Sequence, residues 1–254
     1  AIERENLAND MAQARVLAET ERLRTALLSS VSHDLRTPLA SVIGAATSLL
    51  SYGDSFDADS QRELLQTILE EAERLDRFVA NLLDMTRLES GALQLRCDWV
   101  EVKDIIGSAL ARQERRLGNR QVKVTVPSQL PLVFVDYVLM EQVLVNLLDN
   151  AAKYSPPTAT IEVRAWQTDV SVAIEVVDEG VGVPSEDLDR IFDKFYRVLK
   201  GDSHSGGTGL GLSICRGIVE AHGGTIAAHR RSDGTGTVLV LMLPYTDEAK
   251  SEGR

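Results

Sequence analysis

A helical hairpin followed by a mixed α/β domain is the fold class this chain predicts, on three observations. Residues 1 to about 31 are rich in Glu, Arg, Ala and Leu and lack Gly and Pro. Apolar residues then recur three and four apart as far as Leu82, the spacing of helices that bury one face. From about Trp99 the pattern changes to short β-rich runs alternating with helical stretches, as expected of a separate domain with its helices on one face of a mixed sheet.

The first helix carries Leu7, Met11, Ala14 and Leu17 in phase, loses the phase around Thr20 and Glu21, and resumes it at Leu23, Leu27 and Val31. Such a break resembles the stutter of a coiled coil. The helix runs on into Ser32-His33-Asp34-Leu35-Arg36-Thr37-Pro38-Leu39, where two stripes separate. Leu35, Leu39, Val42, Ala46 and Leu49 form an apolar stripe. His33, Thr37, Ala40, Ser41 and Gly44 form one that is polar and then small, so a bulky partner can approach His33. Pro38 offers no N–H to the Asp34 carbonyl and crowds it, so a kink is expected just after His33.

The cluster from Ser51 to Asp57 reads as a turn. Ser60 with Glu63 has the signature of a capping box, and the helix that follows carries Leu65, Ile68, Ala72, Leu75, Val79 and Leu82 and should stop at Gly91. Two helices cannot enclose a core, so residues 1–91 imply a second copy. The expected assembly is a homodimer whose hairpins form a four-helix bundle, with His33 on its outer face.

In the remaining chain, Gln121 to Val126 and Leu132 to Val135 read as strands, and Val138 to Ala152 as a helix. Thr160 to Trp166 and Ser171 to Val177 read as a β-hairpin. A Gly-rich loop leads to a helix from about Gly209 to Ala221 and to strands at Thr225 to His229 and Thr237 to Leu243. The expected domains are 1–91, 92–246 and a polar tail, 247–254.

Composition narrows the function. The net charge of −11 argues against a general nucleic-acid binder, and an anionic ligand would need a locally positive site. The only cysteines are Cys97 and Cys215, far apart and without metal-ligand spacing, which suggests a reducing compartment. No apolar run approaches the roughly 20 residues that span a bilayer. The expectation is a cytoplasmic protein, or the cytoplasmic portion of a membrane-anchored sensor.

Several elements of the second domain point to a bound phosphate. Asn146, Asn150, Lys153 and Tyr154 lie on roughly one helical face, where amide oxygens suit a hard Mg²⁺ ion and Lys153 suits phosphate. Asp178 ends a β run and precedes Gly180 and Gly182, so its carboxylate can accept from an exocyclic amine while the glycines admit a flat base. Gly207, Gly209 and Gly211 lie in a glycine-rich run that opens a helix, with N–H groups free to surround an anion. The spacing is G-x-G-x-G after a polar loop, so this is not the dinucleotide fingerprint. Phe192, Phe195, Tyr196 and Arg197 precede a polar stretch from Lys200 to Gly207, which reads as a lid able to bring Arg197 towards phosphate. Core packing explains the aromatics equally well.

The segment around His33 resembles the phosphoacceptor box of bacterial sensor histidine kinases. The later elements resemble, in the same order, the N, G1, F and G2 boxes of that family's ATP domain, with Gly236-Thr237 loosely matching a late Gly-x-Thr feature. Ala18 to Arg24, running into Ser29 to Asp34, is similar to the potassium-responsive group of these kinases. The resemblance implies an α/β sandwich of the Bergerat ATP-binding type, with ATP and Mg²⁺ as cofactors. It also implies Asn150 as metal ligand, Asn146 and Lys153 near phosphates, Tyr154 near the ribose and Asp178 on adenine. His33 would attack the γ-phosphoryl group, Asp34 would orient it or act as base, and Thr37 matches the position that supports dephosphorylation. The phosphoryl group would pass to an Asp of a response-regulator receiver domain. Asp34 stands where many relatives have Glu.

Two other classes compete. ATPases of the gyrase, chaperone and mismatch-repair type share the ATP fold but place a water-activating Glu where this chain has Asn146. A dimeric scaffold that only binds nucleotide would be expected to have lost Asn150, Asp178 and the glycines.

Overall fold

The computed structural model describes residues 32, 35–91, 93–198, 209–231 and 235–245. They form two compact units that part between Ala80 and Asn81. Of the sequence expectations, the helix over residues 1–31, His33 and Asp34, the kink at Asp34, the lid, Gly207 and the tail lie outside these residues.

In the first unit, helix α1 covers described residues 35–52 and leads through a 3₁₀ turn, Gly53–Ser55, to helix α2, Ala58–Glu89. The stripe expected beside His33 is open, with Thr37, Ala40, Ser41 and Gly44 all exposed. Pro38, Ala45 and Phe78 are buried, but large apolar side chains are not all covered. Ile43 is 57% exposed, Leu65 58% and Leu69 50%.

The capping box expected at Ser60 is not the one used. Helix α2 begins earlier, and the Ser60 N–H donates to Asp57 Oδ1 at 2.7 Å, so Asp57 caps the helix. The Ser60 hydroxyl and N–H hold that carboxyl below the usual carboxylate range. Gln61 Nε2 donates back to the Gly53 carbonyl at 2.9 Å and closes the turn. At its far end the chain leaves α2 through Gly91 with φ +63°, as expected of a left-handed C-terminal cap.

In the second unit, strand β1 (Cys97–Val100) pairs antiparallel with β3 (Val133–Asp136), and helix α3 (Val102–Leu117) follows β1. Strand β2 is Val122–Thr125, helix α4 is Tyr137–Tyr154, and β4 (Ile161–Gln167) and β5 (Ser171–Val177) make the expected hairpin. Helix α5 (Gly211–Ala221) precedes β6 (Thr225–Arg230) and β7 (Thr237–Pro244). The five-stranded sheet has the order β2-β4-β5-β7-β6, with β2 parallel to β4 and the other pairs antiparallel.

Alternation decides which face of that sheet is covered. Val163, Ile174, Leu241 and Ile226 are buried, and Ile174 and Ile226 both pair with Leu241. Between them the pair Arg164 and Glu175 meets across β4 and β5 at 3.3 Å. Helices α3, α4 and α5 supply the other half of the core through Ile105, Ala109, Leu144, Leu147, Ile214 and Ile218. The result is a two-layer α/β sandwich. Among the described residues, no helix is long and apolar enough to cross a membrane.

The last turns of α2 belong to this second unit. Gln142 Nε2 donates to Asp84 Oδ2 at 2.7 Å, Met85 is buried, and Leu88 packs over Gly217 of α5. Helix α4 is capped by Asp136, whose Oδ1 accepts from the Val138 and Leu139 N–H groups at 3.1 and 3.2 Å. Its Oδ2 accepts from the Arg96 N–H at 2.9 Å, so one buried carboxyl serves the helix and the strand that enters the domain. Asp136→Ala orphans three N–H groups and should destabilise the α/β domain by about 2 kcal/mol, read from urea unfolding.

Candidate functional site

Helix α4 carries Asn146, Asn150, Lys153 and Tyr154, and both of its ends are held from outside. At the start, beside the Asp136 cap, the Asp136 N–H donates to His222 Nε2 at 3.0 Å. His222 Nδ1 in turn lies 2.7 Å from the Ile218 carbonyl, so the neutral ring donates from Nδ1 and accepts at Nε2. At the finish, the Arg120 guanidinium donates to the carbonyls of Ala152 and Ser155. A helix clamped in this way presents its polar face with little freedom to rotate.

Asn146 and Asn150 are half-buried one turn apart. The Asn146 amide lies against the Cys215 thiol, which burial pushes up to about 12, and its own buried Nδ2 has no hydrogen-bond partner among the described residues. An unsatisfied buried donor costs free energy unless a ligand supplies an acceptor. Lys153 Nζ lies 4.8 Å from the centroid of the Tyr154 ring, so its cation is held near the helix end.

Asp178 stands where β5 ends, only 7% exposed. Its Oδ1 accepts from the Gly180 N–H at 2.8 Å and the Thr237 N–H at 3.2 Å, while its own N–H donates to the Thr237 carbonyl at 2.9 Å. Burial pushes the Asp178 carboxyl above its ordinary value, against the backbone donors and the Arg231 cation. The glycines here answer to close backbone approach. A Cβ on Gly180 would lie 2.4 Å from the Tyr154 carbonyl oxygen, and one on Gly236, whose φ is +91°, would lie 1.9 Å from the Asp178 carbonyl oxygen. Helix α4, the Asp178 loop and the start of β7 are thereby pressed together.

Around the edge of this cradle runs a charged pair. Arg231 Nη1 lies 3.3 Å from Glu179 Oε1, and Glu179 Oε2 accepts from the Thr160 N–H at 3.1 Å. Glu179, Arg231 and Gly236 complete the cradle although no motif singles out the first two. Their signal is tertiary, since 51 residues of chain, helix α5 and strand β6 among them, separate Glu179 from Arg231.

Before α5, the Phe195 N–H donates to the Gly209 carbonyl at 2.9 Å, and both residues have positive φ, 62° and 68°. Gly211 is the first residue of α5. The aromatics are packed and braced by cations: Phe192 is buried beneath Arg216, 4.3 Å from its ring centroid, and Tyr196 lies under Arg190 at 4.3 Å. Arg197 is exposed just before the stretch expected to be a lid.

The structure thus gathers Tyr154, Asp178, Gly180, Gly182 and Thr237 in one cradle, with Gly182 against Gly236. It places Asn146, Asn150 and Lys153 along α4 and Gly209 and Gly211 at the start of α5. Thr37 sits in the first unit, exposed on α1.

Two family models match the chain. Residues 23–91 match the His Kinase A phospho-acceptor domain, and residues 135–247 match the histidine kinase-, DNA gyrase B- and HSP90-like ATPase. A solved mycobacterial sensor histidine kinase, MprB, is 31% identical, with 97% of its chain and 58% of this one covered and a TM-score of 0.52. This chain belongs to the sensor histidine kinase family. Among curated relatives, the sensor protein KdpD of Escherichia coli strain K12 is 41% identical over 247 residues, 96% of this chain. The chain spans only 27% of that protein's length. In fold it is also like the histidine kinase ThkA, solved in complex with the response regulator protein TrrA, at 24% identity and a TM-score of 0.69, covering 90% of this chain and 64% of that one.

Magnesium, which the family resemblance implies, fits the donor set. Asn150 offers an amide oxygen of the kind a hard cation takes, and Mg²⁺ that keeps its waters and a phosphate needs few protein ligands. The orphaned Asn146 donor suits a phosphate oxygen on the same helix face.

Gly236→Ala should destabilise the domain by about 3 kcal/mol or more in denaturant unfolding, because the new methyl meets immovable backbone at an unfavourable φ. Gly107→Ala, in α3 with nothing within 4 Å of the new methyl, should be neutral or stabilise by up to about 1 kcal/mol.

Proposed function

We propose that this chain is the catalytic core of a two-component sensor histidine kinase, which phosphorylates His33 from ATP and passes the phosphoryl group to an Asp of a response-regulator receiver domain. The observation that carries the reading is the buried Asp178 cradle beside a helix bearing two asparagines and a lysine. Residues 1–91 act as the dimerisation and phosphotransfer hairpin, 92–246 as the ATP-binding catalytic domain and 247–254 as a tail.

Asp178 accepts from the adenine amine, with Gly180, Gly182 and Thr237 shaping the base site and Tyr154 beside the ribose. Asn146, Lys153 and Arg197 bind phosphates, and the N–H groups around Gly207, Gly209 and Gly211 surround them at the start of α5. Asn150 holds Mg²⁺, which when bound neutralises phosphate charge. The neutral imidazole of His33 attacks the γ-phosphorus in line. A P–N bond forms as the bond to the bridging oxygen breaks, ADP leaves, and Asp34 receives or orients the other ring proton. The acceptor carboxylate of the regulator later takes the phosphoryl group from nitrogen, and Thr37 supports the reverse, dephosphorylating activity. An amide at Asn146 cannot deprotonate water at neutral pH, which disfavours hydrolysis of the gyrase type.

A second copy covers the exposed apolar side chains of the first unit, giving a homodimer with a four-helix bundle. The parent protein is a membrane-anchored sensor with this portion in the cytoplasm, and the resemblance to the potassium-responsive group of these kinases gives potassium or osmotic strength as its stimulus.

Incubation with γ-labelled ATP and Mg²⁺ should leave acid-labile label on the wild type, none on His33→Gln and at least tenfold less on Asn150→Ala. Label that persists in His33→Gln overturns the acceptor. Leu65→Glu with Leu69→Glu should shift the dimer to monomer in sedimentation, because charge then occupies the face the second copy covers.

A further inference from the structure

Asp178 has a division of labour between its two oxygens. Both backbone donors, from Gly180 and Thr237, end on Oδ1, so among the described residues Oδ2 takes no backbone N–H and is the oxygen we assign to a ligand N–H. A proton taken up by this carboxyl goes to Oδ2, since Oδ1 already faces two N–H groups. It would turn the ligand-facing acceptor into a donor. Base recognition by an exocyclic amine therefore needs an ionised carboxylate, in a place where burial favours the neutral acid.

One cation among the described residues is built against that tendency. Arg231 leaves the end of β6 and lies over Gly236, with its Cδ 3.1 Å from where a Cβ of that glycine would stand. That same Cβ would lie 1.9 Å from the Asp178 carbonyl oxygen, so the Arg231 stem lies beside the backbone contact between Gly236 and Asp178. Its guanidinium is directed by Glu179, and its charge acts on the Asp178 carboxyl. Among the described residues, the other polar groups on the Asp178 carboxyl are the Thr237 hydroxyl and N–H from β7 and the Gly180 N–H, while the neighbouring Glu179 turns to Arg231 and Thr160. From α4, Tyr154 presents only its backbone carbonyl to Gly180. Lys123 of β2 acts on Glu179.

We propose that Arg231 is a positioning residue for base recognition, one that touches no reacting atom but keeps Asp178 Oδ2 an acceptor towards the exocyclic amine of adenine. This rests on the reading of Asp178 as the adenine contact. The sign follows from linkage: binding through the ionised form is present above the folded pKa of Asp178 and is lost as pH falls through it. Removing the neighbouring cation raises that pKa further, so the loss begins at a higher pH.

The test measures binding of two nucleotides to the whole chain by calorimetry across acid and neutral pH. One is ADP, and the other is purine riboside diphosphate, which lacks the exocyclic amine but has the same phosphates. In Arg231→Gln the acid limb of ADP binding should move up by about one pH unit, with about tenfold weaker binding on that limb. Arg231→Lys should keep the wild-type limb, and the amine-free analogue should show no difference between the proteins. Arg231→Ala repeats the measurement if the glutamine variant does not fold. An unmoved limb overturns the proposal, as does an equal shift for the analogue, which would mark a merely structural role. A wild type that binds neither nucleotide overturns the nucleotide-site reading itself, and the role of Arg231 with it.

Discussion

Helix α4 can present a row of polar side chains only because its two ends are tied to other parts of the chain. Asp136 holds the first turn through two N–H groups, takes a third from Arg96, and offers its own N–H to His222 at the end of α5. Arg120 holds the last carbonyls. A helix whose terminal groups are satisfied by fixed partners pays little to stay in register when a charged ligand arrives. Since α5 begins at the glycine-rich run and ends beside His222, the same buried node ties the end of α5 to the start of α4.

The Asp178 cradle applies the same principle at shorter range. Backbone approaches that exclude any Cβ bring the end of β5, the end of α4 and the start of β7 together. The carboxyl at their centre takes both backbone N–H groups on one of its oxygens. Its cost is burial of a charge, and the Arg231 cation at the rim, held by Glu179, offsets part of it. Function and stability meet here, because the contacts that orient Asp178 are also those that close the domain.

Much of the α/β domain is legible in the residues because β4 and β7 alternate buried with less buried positions and β5 is apolar almost throughout. Ile161, Val163 and Ala165 on β4 and Leu239, Leu241 and Leu243 on β7 mark both the strands and the covered face. Helix α3 and strand β1 do not stand out as well. Strand β1 has only four residues, and α3 mixes Ile105, Ile106 and Ala109 with a charged run. The cap of α2 illustrates a local ambiguity: Ser60 and Glu63 satisfy a spacing rule, but Asp57 takes the Ser60 N–H that such a box would give to the Glu63 carboxylate, and the helix starts nearly a turn sooner, at Ala58.

What the sequence by itself determined is the chemistry in order: a histidine beside a small polar stripe, two asparagines and a lysine on one helix, a carboxylate before glycines, and a glycine run opening a helix. Local rules suffice for these, because side-chain type and helical or strand period are properties of neighbouring residues. The tertiary structure alone decided which groups from distant segments meet. Arg231 reaches Glu179, His222 accepts from Asp136, and Gly236 lies against Asp178 because sheet order and helix packing bring those segments together, and no spacing along the chain encodes that distance.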